Sequence, residues 1–409
     1  MKNYILTLSI LLFLSACIKK QEPVIKALIN DNNSIVIPLN NLNVEIVHAD
    51  SLFEVVSFIK PELTDKSMIG NYSKIIVKDE KIFIMDDSKS NQAIFVFNMQ
   101  GKFLFSINAR GNGPGEYISV EDFFVDEENK IIGILDHSRI HIYDFNGSFI
   151  RKLDLMSHLI SKIAFADGKI YAYTFSQCPT KLCYALKIFN MQGDLLYEDI
   201  PIRKDLITFP YTGFKPNNLY TDSDNQVYFN SIYNDTVYRV GINKISPVYI
   251  ADFGKHKFPE KIFSEFVERK DNNMDKTSRE LYNTYSEYAQ FGINNIYFTK
   301  DYVYFDFLAK NITYKVYFSK KTKSVKIINQ INTRNQLFPT IVNASDKNFF
   351  YGAVYSSDFV DTRNKIDEYL IANPQIKFTS AQRKYYDTFL KDAKAEDNTT
   401  LIVFKLKDF

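Results

Sequence analysis

A turn sequence recurs along this chain at a constant interval, and that interval restricts the possible folds more than any other feature. The turn reads Phe-Asn-Met-Gln-Gly at 97–101, Tyr-Asp-Phe-Asn-Gly at 143–147 and Phe-Asn-Met-Gln-Gly at 189–193. The final glycines are 46 residues apart both times (147 − 101 and 193 − 147). A repeat of roughly 40–50 residues carrying several short strands is typical of a β-propeller with one blade per repeat.

Pairs of short apolar segments, joined by turns rich in Asp, Asn and Gly, occur six times. They cover 75–86, 123–136, 163–173, 219–229, 296–306 and, more weakly, 340–352. A second pair of strands follows in the early repeats, as at 93–97 and 103–105. The high content of aromatic residues, 35 Phe and 27 Tyr, also favours half-buried strands. We therefore predict an all-β fold, a six-bladed β-propeller of four-stranded antiparallel blades with small helical inserts.

The first 17 residues indicate export and lipid attachment. Lys2 precedes a short apolar run, and Leu14-Ser15-Ala16-Cys17 ends it. Small residues before such a cysteine resemble the bacterial lipoprotein signal, which implies cleavage before Cys17 and acylation of its thiol. An ordinary secretory peptide or an N-terminal anchor is the alternative. The predicted location is the bacterial cell envelope, lipid-anchored at the outer membrane, with the periplasmic or surface side left open.

The domain prediction follows from these signals. Residues 1–16 are the signal peptide, 17–42 the lipidated cysteine and a polar tether, and 43–409 the propeller. Helical inserts are predicted at about 259–288 and 363–395, either as cover for the rim or as a lid or partner surface. Because a propeller must join its ends, the strand at 400–406 or the one at 53–59 should complete a shared blade.

Cys178 and Cys183 are the only cysteines after Cys17. An exported protein meets an oxidising compartment, so a disulfide closing this short loop is predicted, with two free thiols as the alternative. No histidine or second cysteine pair lies nearby, and a metal site is not predicted there.

The loop between the first two repeats is rich in glycine: Ala109-Arg110-Gly111-Asn112-Gly113-Pro114-Gly115-Glu116-Tyr117. It resembles the Gly-Arg-Gly-Pro-Gly-Glu-Tyr signature of the six-bladed β-propeller lipoproteins of Bacteroidetes, which are NHL-like, with Asn112 in place of the commoner Arg. The segments 398–407 and 51–53 resemble that group as well. The resemblance implies the fold and the exported location, but no reaction.

The same loop contains the candidate ligand-binding residues Arg110, Gly111, Gly113, Gly115 and Glu116. Glycines allow unusual backbone angles, so exposed amides could form an anion-binding nest to which Arg110 adds charge. The alternative is a rigid crossover between blades, in which Glu116 caps the loop. Under that alternative, Gly113→Ala should cost stability rather than binding.

Other polar residues give weak signals. His137 and His141 flank a predicted strand, and no metal-binding pair or serine-hydrolase elbow is present. Four aspartates are predicted to end second strands, where they could gather around a cation or could simply cap turns: Asp86, Asp87, Asp136 and Asp306. No catalytic residue, metal or cofactor is predicted.

Two function classes remain. The first is an envelope-anchored, non-catalytic binding or scaffold module for an unknown protein or small-molecule ligand. The second is a propeller enzyme, a lyase or hydrolase acting on envelope glycans or lactones. The lack of a His-Asp or metal constellation in the sequence favours the first, and a cluster of His and carboxylates at a channel mouth would favour the second. Fifty Lys and Arg nearly balance 48 Asp and Glu without a basic stripe, so no nucleic-acid partner is predicted.

Overall fold

Six four-stranded units arranged as blades make up the fold. The computed structural model describes residues 25–30, 33–42, 46–155, 160–174, 183–202, 218–263, 280, 283–332, 337–339 and 341–409. Within each unit the strands are antiparallel neighbours, in chain order except for the outermost strand of the last unit, so the innermost strand forms one edge of its sheet. The predicted six-bladed β-propeller is confirmed.

The first three blades are regular. Blade 1 contains Lys74–Lys78, Lys81–Asp86, Ala93–Asn98 and Phe103–Ile107. Blade 2 contains Asp122–Asp126, Ile131–Asp136, Arg139–Asp144 and Phe149–Asp154. Blade 3 contains Ile160–Ala166, Lys169–Thr174, Tyr184–Phe189 and Leu195–Pro201.

The later blades take up additional segments. Blade 4 contains Leu219–Thr221, Val227–Phe229, Thr236–Gly241 and Lys244–Asp252. Blade 5 contains Gln290–Phe298, Tyr302–Ala309, Ile312–Ser319 and Ser324–Ile328. Blade 6 contains Ala344–Ser345, Phe350–Val354, Thr400–Leu406 and, from the start of the chain, Phe53–Ile59.

Ring closure is achieved through both of the segments that the sequence offered. Phe53–Ile59 pairs antiparallel with Thr400–Leu406, so the N-terminal strand becomes the outermost strand of blade 6. Six apolar cores then lie between neighbouring blades, including one between blades 6 and 1 that contains Ile84 and Leu401. A core at every junction is what closes the ring and removes open sheet edges between its ends.

Hydrogen bonds and close backbone contacts explain why the same turn sequence recurs. In the turn between third and fourth strands, the side-chain oxygen of Asn98, Asp144 or Asn190 accepts hydrogen bonds from two backbone amides. The following Gly101 and Gly193 have φ of 81° and 93°, and a Cβ there would lie 2.2 Å from Lys60 O or 2.6 Å from Asp154 O. Glycine is therefore required both by the turn and by the adjoining chain.

The structure corrects the predicted tether. Ile35–Pro38 lies parallel to the outer strand of blade 4, and Ile37, Leu39 and Leu42 are buried in the core between blades 4 and 5. Ile25–Lys26 pairs with the outer strand of blade 5. Residues 25–26 and 33–42 therefore belong to the propeller, because they pair with its outer strands or bury apolar side chains in its core, whereas Leu28 and Ile29 stay exposed. Ile46–His48 also pairs in parallel with Gln330–Asn332.

Two further boundaries differ from prediction. The first strand of blade 6 is Ala344–Ser345 rather than 340–342, since Asp346 caps the turn through the amides of Asn348 and Phe349. The second insert begins earlier than 363, as the α-helix Ser356–Ala372 with Phe359 buried, and continues as Ser380–Tyr385 and a π-helical turn at Tyr386–Leu390. Short helices also occur at Ala49–Leu52 and Gly254–His256. Most of the predicted insert at 259–288 lies outside the described residues.

Candidate functional site

A cavity of about 400 Å³ lies on the propeller axis. Residues from the first strand of every blade line it, which places the free edges of those strands around it. Its walls are largely apolar and aromatic, including Val77, Phe123, Phe165, Tyr220, Tyr297 and Phe298. Cavities of a few hundred Å³ with apolar walls and a few polar groups are the usual form of small-molecule sites.

An ion pair between Lys74, which lines the cavity, and the fully buried Asp122 lies at one end of the cavity. Lys74 Nζ lies 2.7 Å from Asp122 Oδ1 and also donates to the carbonyl of Phe123 at 2.9 Å. The other carboxylate oxygen of Asp122 accepts from Ile163 N at 2.7 Å, so the pair joins the first strands of blades 1, 2 and 3. Burial lowers the pKa of Lys74, and the charge of Asp122 opposes that shift.

The opposite end is the mouth of the cavity, where the turns between first and second strands meet. Lys78 Nζ donates to Asn225 Oδ1 at 3.1 Å. Lys78 belongs to blade 1 and Asn225 to blade 4, three blades away, so this contact crosses the mouth. Burial lowers the pKa of Lys78, and the nearby carboxylates of Glu127 and Asp222 oppose the shift.

In the glycine-rich crossover loop, the carboxylate of Glu116 occupies the position where an external anion would bind. Glu116 Oε2 accepts a hydrogen bond from Gly113 N at 2.7 Å, and a Cβ on Gly111 would lie 2.0 Å from the same oxygen. Arg110 points elsewhere and donates to the carbonyl of Lys89. An external anion would have to displace the Glu116 carboxylate, so the geometry adds support to the crossover alternative, and the ligand role of this loop stays a prediction.

The end of this loop joins blades 1 and 2. Tyr117 is fully buried, and its hydroxyl donates to the carbonyls of Gln92 and Ile107. Tyr143 of blade 2 donates to the carbonyl of Gly115, which has φ of 79° and packs against Phe149. Gly115 is the glycine that this joint requires, whereas the φ of Gly113 is not in the left-handed region.

Both predicted histidines contact one aspartate on blade 2. Asp136 Oδ1 lies 2.9 Å from His137 Nδ1, and Asp136 Oδ2 lies 3.6 Å from His141 Nε2. Glu121 Oε1 lies 3.7 Å from His137 Nδ1. The hydrogen bond to Asp136 raises the pKa of the exposed His137, whereas burial lowers the pKa of His141, which is only 4% exposed. The structure therefore contains a His-Asp cluster that the sequence pattern did not reveal.

The four predicted aspartates do not gather at one point. Asp86 accepts from Gly70 N, Ser88 N and Asn91 Nδ2, and Asp87 accepts from Asn71 and Ser73. Asp136 accepts from Ile118 N and Ser119 N. These three carboxylates cap local turns, as the alternative interpretation held.

Asp306 differs from the other three. It does not end a strand, because Tyr302–Ala309 continues past it, and it is 4% exposed. It accepts from Asn295 Nδ2 and from the hydroxyl of Tyr304, and it lies across the register from Lys315. Burial raises its pKa to about 7, against the opposing hydrogen bonds.

The sequence interpretation missed the groups at both ends of the cavity. Lys74, Asp122 and Lys78 are ordinary-looking charges at the ends of apolar strands, and only the ring arrangement brings them to one axis. The available signal was their position: each begins or ends the first strand of a repeat. The predicted lipid attachment site Cys17 and the disulfide residue Cys178 lie outside the described residues, so acylation and the pairing with Cys183 stay predictions.

Two absences apply to the described part of the chain. No three His, Cys, Asp or Glu side chains there are arranged to hold a metal ion. None of the helices that the structure describes has the length and apolar character needed to cross a bilayer.

These features define a class: a closed six-bladed propeller with a ligand-sized cavity on its axis. The chain belongs to the family described as Domain of unknown function (DUF4934), whose model matches residues 34–405. No curated protein sequence matches it.

Two solved structures share the fold. A Bacteroides fragilis protein, by its description a candidate exported protein, is 19% identical with a TM-score of 0.70, covering 91% of this chain and 100% of its own. A DUF4221 family member from Bacteroides vulgatus is 9% identical with a TM-score of 0.55, covering 87% of this chain and 98% of its own. At these identities the likeness concerns the fold alone.

Proposed function

We propose that this protein is a lipid-anchored envelope module that binds a small ligand in its axial cavity without catalysing a reaction on it. The observation that carries the proposal is the asymmetry of the cavity. An ion pair to the fully buried Asp122 holds Lys74 at one end, and a single lysine–asparagine contact spans the other. A site of this kind admits a molecule from one side and retains it.

The lining specifies the type of ligand. Aromatic and aliphatic walls favour an apolar body, and the mouth adds the cationic Lys78 beside the carboxylates of Glu127 and Asp222. The ligand class is therefore a small amphipathic molecule with its polar or zwitterionic group at the mouth. A cavity of about 400 Å³ is of the size that small-molecule sites usually have.

The test is to identify what co-purifies. The full chain is purified from its own membranes under native conditions, denatured, and the released small molecules are compared by mass spectrometry. Thr221 lines the cavity close to the mouth, so Thr221→Trp should reduce the recovered ligand at least tenfold. The matched control Leu195→Trp, on the exposed rim of blade 3, should leave recovery unchanged. Equal recovery from both variants, or no recovered molecule from the unaltered chain, contradicts the proposal.

The envelope anchor rests on the sequence signal at Cys17. Growth with an alkyne-labelled fatty acid should label the chain, and Cys17→Ala should abolish the label. Retained label in that variant would place acylation elsewhere or leave the lipoprotein interpretation without support.

A second candidate is catalysis, as a lyase or hydrolase, and one observation favours it. His141 is buried with no hydrogen-bond partner at either ring nitrogen, 3.6 Å from Asp136 and near the exposed His137. A histidine can accept a proton from a substrate that reaches it, but both ring nitrogens of His141 are buried and it does not line the axial cavity, so catalysis here would require this part of blade 2 to open. If catalysis occurs, extracts should contain a substrate that disappears with the purified chain and persists with His141→Gln, while thermal stability of that variant stays close to the original.

A further inference from the structure

The helical insert of blade 6 projects from the ring and is firmly packed at its base. It leaves the sheet after Phe350–Val354 and returns at Thr400–Leu406. Phe359 and Leu390 are buried in a core that they share with Val354 and Ile402 of blade 6, and the rings of Phe58 and Phe389 lie 4.1 Å apart. The insert is therefore a rigid extension of the propeller.

The part of this insert between the packed segments, residues 369–384, is here called the tip, and it exposes large apolar side chains. Tyr369 is 56% exposed, Ile371 is 81% exposed and Ile376 is 39% exposed. Exposed apolar groups that cluster in one segment cost solvation free energy unless another surface covers them. Other large apolar side chains, such as Leu28 and Met68, are exposed elsewhere, and the tip is distinguished by having three of them within eight residues, 369–376.

Charge is distributed unevenly along the insert. The tip carries Lys377, Arg383 and Lys384 and contains no Asp or Glu, whereas 356–368 carries four acidic residues (Asp358, Asp361, Asp367 and Glu368) against two basic ones (Arg363 and Lys365). Arg383 lies over the ring of Phe378 at 4.7 Å, which presents its charge beside an apolar surface, and its nearest carboxylate is Asp387, 3.9 Å away just beyond the tip. Aromatic and aliphatic groups flanked by basic residues are the composition of surfaces that rest on anionic lipid headgroups.

Chain length brings this tip within reach of a membrane. Eight residues separate Cys17 from Ile25 (25 − 17), which span at most about 28 Å when extended. Ile25 is already fixed to the outer strand of blade 5, which neighbours blade 6. If Cys17 is acylated, the propeller is held within a short distance of the bilayer, and one part of its surface must face the lipid.

We propose that the tip is that part: it docks onto an anionic lipid bilayer and orients the lipid-anchored propeller. The proposal rests on the anchoring in the proposed function. Lipid is the expected binding surface because the tip combines basic charge with exposed apolar side chains. The tip also belongs to blade 6, next to blade 5, to which the anchored end of the chain is fixed.

The chain contains no tryptophan, which provides a direct probe. The full lipidated chain carrying Ile371→Trp is reconstituted in vesicles of phosphatidylglycerol and phosphatidylcholine, with a bromine on the acyl chains of one lipid. Emission of this single tip tryptophan should fall at least twofold relative to unbrominated vesicles. In the control variant Leu195→Trp, at an apolar position on blade 3 that is 49% exposed, emission should stay unchanged.

Charge reversal tests the lipid specificity. Lys377→Glu with Lys384→Glu, added to the Ile371→Trp chain, should remove most of the quenching of the tip tryptophan, and so should vesicles of phosphatidylcholine alone. Thermal unfolding should not change, because both lysines are exposed. Quenching that persists in both cases would show insertion without charge recognition and overturn the anionic-lipid proposal.

Flotation on a density gradient separates this proposal from the anchor. A chain that fails to float contradicts lipid attachment and hence the proposed function. A chain that floats while its tip tryptophan is unquenched contradicts docking of the tip, and protection of that tryptophan only when another membrane protein is added would assign the tip to a protein partner instead.

Discussion

The two ends of the axial cavity are formed by lysines four residues apart on the same strand, yet the lysines are held very differently. Lys74 pairs with Asp122, donates to two backbone carbonyls and has a side chain that is 15% exposed. Lys78 makes one hydrogen bond, to Asn225 across the mouth. The carboxylates of Glu127 and Asp222 act on it only through longer-range charge interactions. Lys74 therefore has one carboxylate and two carbonyl partners, whereas Lys78 has a single hydrogen-bond partner.

The difference shows how one strand can provide both a wall and an entrance. A buried charge without a partner costs several kcal/mol, so Lys74 must stay in place. A partly exposed lysine with one hydrogen bond can leave its partner at a cost of about 1 kcal/mol or less. We infer that the cavity opens where the lysine is weakly held.

The largest effect is expected at the Lys74 end of the cavity. Lys74→Met leaves the Asp122 carboxylate buried without its cation, and the free energy of unfolding should fall by about 3–5 kcal/mol. Denaturant unfolding followed by far-UV circular dichroism measures this. The double variant Lys74→Met with Asp122→Asn removes the stranded charge while keeping an acceptor for Ile163 N, and it should recover most of the loss. A double variant as unstable as the single one would mean that packing, rather than charge, holds this end.

Asp306 extends the comparison, because it is a buried carboxylate without the close lysine that Asp122 has. Its pKa of about 7 in the folded protein exceeds the ordinary value of 3.8. The folded state therefore binds the proton more tightly, so this group makes the free energy of unfolding fall as pH rises from about 4 to about 7. The loss is at most roughly 4 kcal/mol.

Asp306→Asn is the variant that tests this contribution, since its amide resembles the protonated acid and does not titrate. Its stability should match the original chain near pH 4 and exceed it at pH 8. Parallel pH slopes for the two proteins would show that Asp306 titrates normally.

Gly115 tests the joint between blades 1 and 2, away from the axis. A Cβ there would lie 2.7 Å from the ring of Phe149, and φ of 79° disfavours any side chain. Gly115→Ala should cost about 1–3 kcal/mol in thermal unfolding. Gly113→Ala, where a Cβ would meet only the flexible Glu116 carboxylate at 3.1 Å, should cost clearly less. Equal losses would contradict the assignment of the strained position to Gly115.

The smallest stability effect is expected at the mouth. Lys78→Ala removes one hydrogen bond at the open end of the cavity and should change the free energy of unfolding by less than about 1 kcal/mol. The same variant should speed the exchange of any bound ligand, measured by its dissociation rate. A strongly destabilised Lys78→Ala protein would show that this lysine is structural, as Lys74 is.

The sequence was sufficient for the fold because its strongest signals are local. Turn residues such as Asn98 and Gly101 set the same hairpin in three blades, and their spacing revealed the repeat. The site could not be predicted in the same way. Lys74 and Asp122 are 48 residues apart in sequence (122 − 74), and they meet only when blades 1 and 2 pack against each other. The strand containing Ile35–Pro38 was missed because polar residues surround a short apolar segment whose partner lies more than 200 residues away.

The position of the mouth can be measured directly by cysteine reactivity. Thr221→Cys places a thiol just inside the Lys78 end, and the unaltered chain gives the background from native cysteines. A small thiol reagent should label the folded Thr221→Cys protein, and adding Lys78→Ala should increase the labelling rate several-fold. A folded Thr221→Cys protein that is not labelled, or that is labelled at the same rate with and without Lys78→Ala, would contradict an axial cavity entered past this lysine.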